Sequence, residues 1–139
     1  MLRKTLSLLA FAFGLVLLFS ACARPNQQTT PEENIIVDAA LGGTGLTGEY
    51  FDNSDFTGTK VTRVDPTINK NWGTARPLVG IAATTYSVRW TGQIVPPRSE
   101  EYTFYVTSAG AARLMVNGIV LVNNWTDHAQ TVDSGKIVL

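Results

Sequence analysis

The strongest constraint on the fold is the ten-residue stretch from Arg113 to Val122, two apolar runs joined by Asn117-Gly118. Asn and Gly both tolerate the positive φ angles that a type I′ two-residue turn requires, so this stretch predicts a tight β-hairpin. With that turn the expected cross-strand pairs are Val116 with Ile119 and Leu114 with Leu121 on the core face. Met115 with Val120 and Arg113 with Val122 are expected on a face that is only partly covered. The same period of two recurs upstream. Tyr86, Val88 and Trp90 alternate with Ser87, Arg89 and Thr91, and Tyr102, Phe104 and Val106 alternate with Thr103, Tyr105 and Thr107. Alternation of this kind marks strands with one buried face. Breakers at Asp65-Pro66, Pro96-Pro97 and Ser134-Gly135 leave no stretch long enough for a capped amphipathic helix. Many short strands without a long helix predict an all-β fold, an antiparallel β-sandwich.

Composition narrows the function classes. The 139 residues carry 11 basic and 11 acidic side chains, one His and one Cys. That length allows one domain. Zero net charge, with no basic cluster beyond Arg3-Lys4, offers no electrostatic footprint for nucleic acid. A lone cysteine excludes a disulfide framework, and with a single histidine the soft-metal ligands are missing, which leaves oxygen-ligand cations such as calcium.

The amino terminus reads as a leader. Arg3-Lys4 precedes an unbroken apolar or Gly run from Leu8 to Phe19. As a helix that run would span roughly 18 Å, short of a bilayer core of about 30 Å, as in a signal peptide. The following Phe19-Ser20-Ala21-Cys22 resembles a bacterial lipobox, with Phe19 where an aliphatic residue is usual. The resemblance implies cleavage before Cys22, acylation of that cysteine and residence in the cell envelope, in the outer membrane if the cell has one, facing outside the cytoplasm. Two or more acyl chains on one residue anchor stably. Ordinary secretion with Cys22 as a bystander is the alternative. Residues 1–21 hold two of the basic residues and none of the acidic ones, so the processed chain carries a net charge of about −2. Residues 22–44, with two prolines, a Gln/Thr-rich run and no aromatic residue, read as a lipidated flexible tether. The folded domain is expected at 45–139.

Six segments in order carry a further resemblance: those beginning at Gly45, Arg63, Tyr86, Tyr102, Ala112 and Asn124. The most specific is Arg89-Trp90-Thr91-Gly92, followed by the Asn117-Gly118 hairpin and the Trp125 segment. Together they resemble the PA-fourteen family, the lectin-like β-sandwich domain named after the amino-terminal region of anthrax protective antigen. The resemblance implies a non-catalytic module, most often for carbohydrate. In the family's sugar binders two adjacent aspartates after the strand matching Tyr102 to Val106 hold calcium, and here that place is Ala109-Gly110. Calcium takes about 6–8 oxygen ligands, so the resemblance implies a module without the usual Asp-Asp calcium site. Glu100 stands where the family has a turn glycine. The resemblance also implies at least one strand beyond Lys136 to Leu139. A sandwich lacking its last strand is therefore expected, with Ile137 and Leu139 exposed at the carboxyl-terminal edge and open to a partner protein.

Ligand contacts are expected at the tip formed by Asn123, Asn124, Trp125 and Asp127, where amides and an aromatic ring adjoin. Trp90, in phase with Tyr86, is expected in the core. Asp127-His128 and Glu100-Glu101 suggest acid–base chemistry only superficially. Neighbours on an extended segment point to opposite faces, and no nucleophile completes a set. No catalytic residue is expected. Asp52 and Asp55 read as a turn in which short polar side chains bond the local backbone. Two functions remain: a surface-displayed module for glycan or cell-wall polysaccharide, and a structural or interaction module without a sugar site, completed by a partner strand.

Overall fold

The computed structural model describes residues 4–11 and 44–139. Eight strands make up its regular structure: β1 (Lys4–Phe11), β2 (Leu46–Phe51), β3 (Lys60–Asp65), β4 (Ser87–Ile94), β5 (Glu101–Ser108), β6 (Ala112–Val116), β7 (Ile119–Asn124) and β8 (Thr131–Val138). Six form one antiparallel sheet in the order β3-β2-β4-β1-β6-β7, and β5 pairs with β8 in a second. The expected all-β sandwich is the architecture found.

Its core follows from the alternation. Residues opposite one another on antiparallel strands share a face, so one row of the large sheet runs Gly48, Trp90, Leu8, Leu114, Val122. Trp90, Leu8 and Leu114 are fully buried in it, and Phe104 and Val106 of β5 join the same core. Trp72 lies parallel to Trp90 at 6.3 Å, and Tyr50 meets both edge-on. Gly48 is glycine because a Cβ there would stand 2.6 Å from the Asp65 carboxylate and 3.0 Å from the Trp90 indole nitrogen.

The hairpin forms as expected at its turn, with Asn117 and Gly118 at φ of 52° and 77°. Val116 opposes Ile119 and Met115 opposes Val120. Beyond them the register departs from the expectation. A bulge between Leu114 and Met115 pairs Leu114 with Val122 and Arg113 with Asn123. The extra residue turns Val122 into the core, leaving Leu121 half-buried. Such a shift reassigns every later side chain to the opposite face.

At the carboxyl-terminal edge the expected exposure of Leu139 is not found. β8 pairs with β5 along its whole length, from Glu101 opposite Val138 to Ser108 opposite Thr131. Leu139 is 6% exposed, and its amide donates to the Glu100 carbonyl oxygen. One face of β8 lies against β7 so closely that a Cβ on Gly135 would stand 2.4 Å from the Leu121 carbonyl oxygen, while among the described residues its second edge pairs with no strand, as the expected missing neighbour implies. Glu100 has no positive φ, so no glycine is required there.

Lys4–Phe11, expected as the front of a leader, is the strand between β4 and β6. Residues 12–43, including the rest of the apolar run, Cys22 and nearly all of the tether, lie outside the described residues.

Candidate functional site

The outward face of the large sheet carries the functional candidates. One outward row runs Thr62, Glu49 and Arg89 and continues on the far side of β1 with Arg113 and Asn123; a second on the same face includes Lys60, Phe51 and Ser87, of which Phe51 and Ser87 are buried. In the first row Glu49 accepts from Arg89 Nε at 2.8 Å and from the Lys60 ammonium. Hydrogen bonds from Lys60 and then Arg89 hold the Glu49 carboxyl below its ordinary value, so this part of the face stays charged in mildly acidic water.

Over the second row folds the loop from Asp52 to Gly58. Asn53 Oδ1 accepts from the amides of Asp55 and Thr57, and Asp55 Oδ1 accepts from the amide and hydroxyl of Thr57. Asp52 Oδ1 accepts instead from the distant Ala82 amide, so it is Asp55 that makes the self-bonded turn expected of both. At its apex Phe56 takes a φ of 60°, and its amide donates to Ser87 Oγ at 3.2 Å. A left-handed backbone costs a bulky residue about 1–2 kcal/mol. The turn bonds hold it, and they deliver the Phe56 ring onto the sheet.

There Phe56 meets Phe51 edge-on at 5.8 Å and stacks with Trp125 at 6.1 Å and 19°. Arg113 lies over the Trp125 ring, its guanidinium carbon 4.5 Å from the centroid, and its Nε donates to Asn123 Oδ1 at 2.8 Å. Lys60 and Arg89 lie over Phe51 at 5.7 and 5.5 Å. A band of aromatic rings flanked by cations thus crosses from β3 to β7. Cations over ring faces attract the ring quadrupole, about 0.5–1 kcal/mol each at exposed sites.

The four expected contact residues divide. Asn123 and Trp125 belong to this band. Asn124 does not, because its Nδ2 donates to Asp133 Oδ2 at 3.0 Å and its Oδ1 accepts from Thr126, which ties the loop to β8. Asp127 is exposed on the loop beyond. The sequence alone does not mark Phe51, Phe56, Arg89 and Arg113 as site residues. Phe56 carried a signal, being an aromatic residue inside an otherwise polar turn, whereas the others are ordinary outward strand positions until the bulge and the loop bring them together.

Ala109-Gly110 closes the tip beside this loop: the Gly110 amide, at a φ of 85°, donates to the His128 carbonyl oxygen at 2.8 Å. No carboxylate side chain is supplied at either position. Among the described residues no three His, Cys, Asp or Glu gather into a metal-binding group. His128 Nδ1 lies 2.7 Å from the Ala129 carbonyl oxygen, while His128 Nε2 and Ser108 Oγ are buried without a hydrogen-bond partner. Trp90 is in the core as expected, donating to Asp65 Oδ2 at 2.7 Å.

Comparison with known proteins agrees with this architecture. The pattern of the PA14 domain matches residues 42–139. The chain is 43% identical over 112 residues to the Anti-sigma-I factor RsgI3 of Acetivibrio thermocellus. The match covers 80% of this chain and 17% of that protein, so the chain spans about a sixth of its relative. No solved structure matches.

Proposed function

The chain belongs to the PA14 domain family, and from that premise we propose a non-catalytic module that binds glycan on the outward face of its large sheet, displayed at the cell envelope by lipid on Cys22. The observation that carries the reading is the band of half-buried Phe56 and Trp125 with Arg113 and Asn123, backed by the buried Phe51 against Phe56. Sugar rings present C–H faces that pack on aromatic side chains and hydroxyls that pair with guanidinium and amide groups, and the band holds both kinds of partner side by side. The left-handed Phe56 supports the same reading, since strained residues held by a dedicated network concentrate at ligand sites. A match confined to a small part of a relative named as a regulatory factor fits a part that binds rather than one that reacts.

Calcium plays no part in this recognition, because the tip at Ala109-Gly110 lacks carboxylates and the ion would need about 6–8 oxygens. The test is a glycan array probed with and without a chelator. Binding should survive chelation, and Trp125→Ala should weaken it at least tenfold, about 1.4 kcal/mol, with the fold unchanged by circular dichroism. Absence of binding to any arrayed glycan, or binding abolished by the chelator, would refute the proposal.

A further inference from the structure

β1 is antiparallel to both neighbours, so β4 and β6 run in the same direction with one strand between them. All of Lys4–Phe11 is in register with β4, and Leu6 to Ala10 with β6. Leu8 sits between Trp90 and Leu114, and Leu6 between Gly92 and Val116; both leucines are buried. Without β1 the two strands would face each other across two interstrand spacings, about 9–10 Å. Their backbones could not bond across that width, which would leave two rows of unpaired N–H and C=O groups beside an emptied apolar slot. Yet the strand filling the slot belongs to the segment whose sequence reads as a leader removed before Cys22.

We propose that the slot between β4 and β6 is a strand-acceptor site. Residues 4–11 occupy it in the precursor, and in the processed chain an extended segment of a partner protein takes their place. The partner strand enters antiparallel to both β4 and β6, with aliphatic side chains at the two inward positions held by Leu6 and Leu8. The register adds a charge criterion. The register position of Leu9 is opposite both Arg89 and Arg113; Arg89 is already paired with Glu49, so an acidic residue there on the partner would draw chiefly on Arg113, and opposite charges in cross-strand pairs stabilise a sheet. The leader carries leucine at that position, which makes it a weaker occupant than an acidic partner strand. Main-chain bonds then supply affinity, and alternate side chains supply specificity. This inference rests on the cleavage proposed above, and it shares Arg113 with the glycan band, which lies across the slot.

The test uses the chain purified from the envelope after processing. An intact mass comes first, followed by titration with a peptide of the sequence Lys4 to Phe11, with the same peptide carrying Leu9→Glu, and with one carrying Leu8→Asp. One peptide should bind per chain and slow amide exchange in β4 and β6. Leu9→Glu should tighten binding several-fold, and Leu8→Asp should weaken it at least tenfold. A processed chain that is unfolded alone and folds on adding the peptide supports the proposal equally. A mass that retains residues 4–11 overturns it, making β1 a resident strand. A processed chain whose β4 and β6 amides are protected without peptide also overturns it, whether the monomer closes the slot itself or a second copy does in a dimer. The glycan array is run on the same sample with and without the peptide, so that the glycan reading is judged by the array and strand uptake by mass and exchange.

Discussion

At the scale of single residues, Asp65 organises more of the molecule than its place beside Pro66 suggests. Its carboxylate, 2% exposed, accepts from Tyr50 Oη at 2.5 Å, Trp90 Nε1 at 2.7 Å and Arg63 Nε at 2.8 Å, with Lys70 at 3.3 Å. Burial alone would push this carboxyl up, but the bonds from Tyr50 and Trp90 and the charges of Arg63 and Lys70 outweigh it and hold it below its ordinary value of 3.8. A depressed carboxyl stabilises the fold fully above its unfolded pKa, and that contribution is lost as pH falls through the lower folded value. Asp65→Asn should cost about 1.5–3 kcal/mol at neutral pH, the range for hydrogen bonds to a charged group, and should flatten the acid limb of stability. Urea midpoints at pH 7 and pH 3 measure both. Burial pushes the Tyr86 hydroxyl up to about 12, so it stays neutral throughout that range. Trp90 was legible as a core residue from its phase with Tyr86. Asp65 was not, because its partners come from strands that only pairing brings together.

At the scale of elements, two glycines separate what a turn demands from what packing demands. Gly118 is set by its own backbone, and a Cβ there would meet nothing within 4 Å; Gly118→Ala should cost about 1–2 kcal/mol, the penalty of a left-handed backbone. Gly135 sits in a regular strand, yet its Cβ would press into the backbone of Leu121. Gly135→Ala should cost about 1–3 kcal/mol as an overpacking change, and it should speed exchange at Leu121 and its β7 neighbours, which Gly118→Ala leaves slow. Denaturation of the two variants with exchange at β7 distinguishes the mechanisms. The turn was legible from Asn-Gly. The bulge that moves Val122 inward and pairs Arg113 with Asn123 was not, since both registers place apolar residues opposite one another and only the packing of β7 on its neighbours chooses between them.

At the scale of the whole molecule, the proposed envelope location is tested at Cys22. Cys22→Ala should shift the protein from the membrane to the soluble fraction or leave it unprocessed, because two or more acyl chains on one residue are what make anchoring stable. An unmodified Cys22 on the mature chain, by intact mass, would rule the anchor out. By itself the sequence determined the all-β class, the hairpin turn, the core role of Trp90 and the family, because alternation assigns each side chain to a face and turn residues need particular φ angles. Only the tertiary structure decided that Phe56 reaches Trp125, that β8 closes against β5 and buries Leu139, and that Lys4–Phe11 lies between β4 and β6. The physical reason is that periodicity fixes faces but not neighbours. A short stretch such as Lys4–Phe11, with leucines at alternate positions 6 and 8, satisfies the front of a leader and a strand with one buried row equally well. Which neighbour a strand takes depends on where unpaired backbone and apolar rows are satisfied together, a condition that exists only once all the strands are in place.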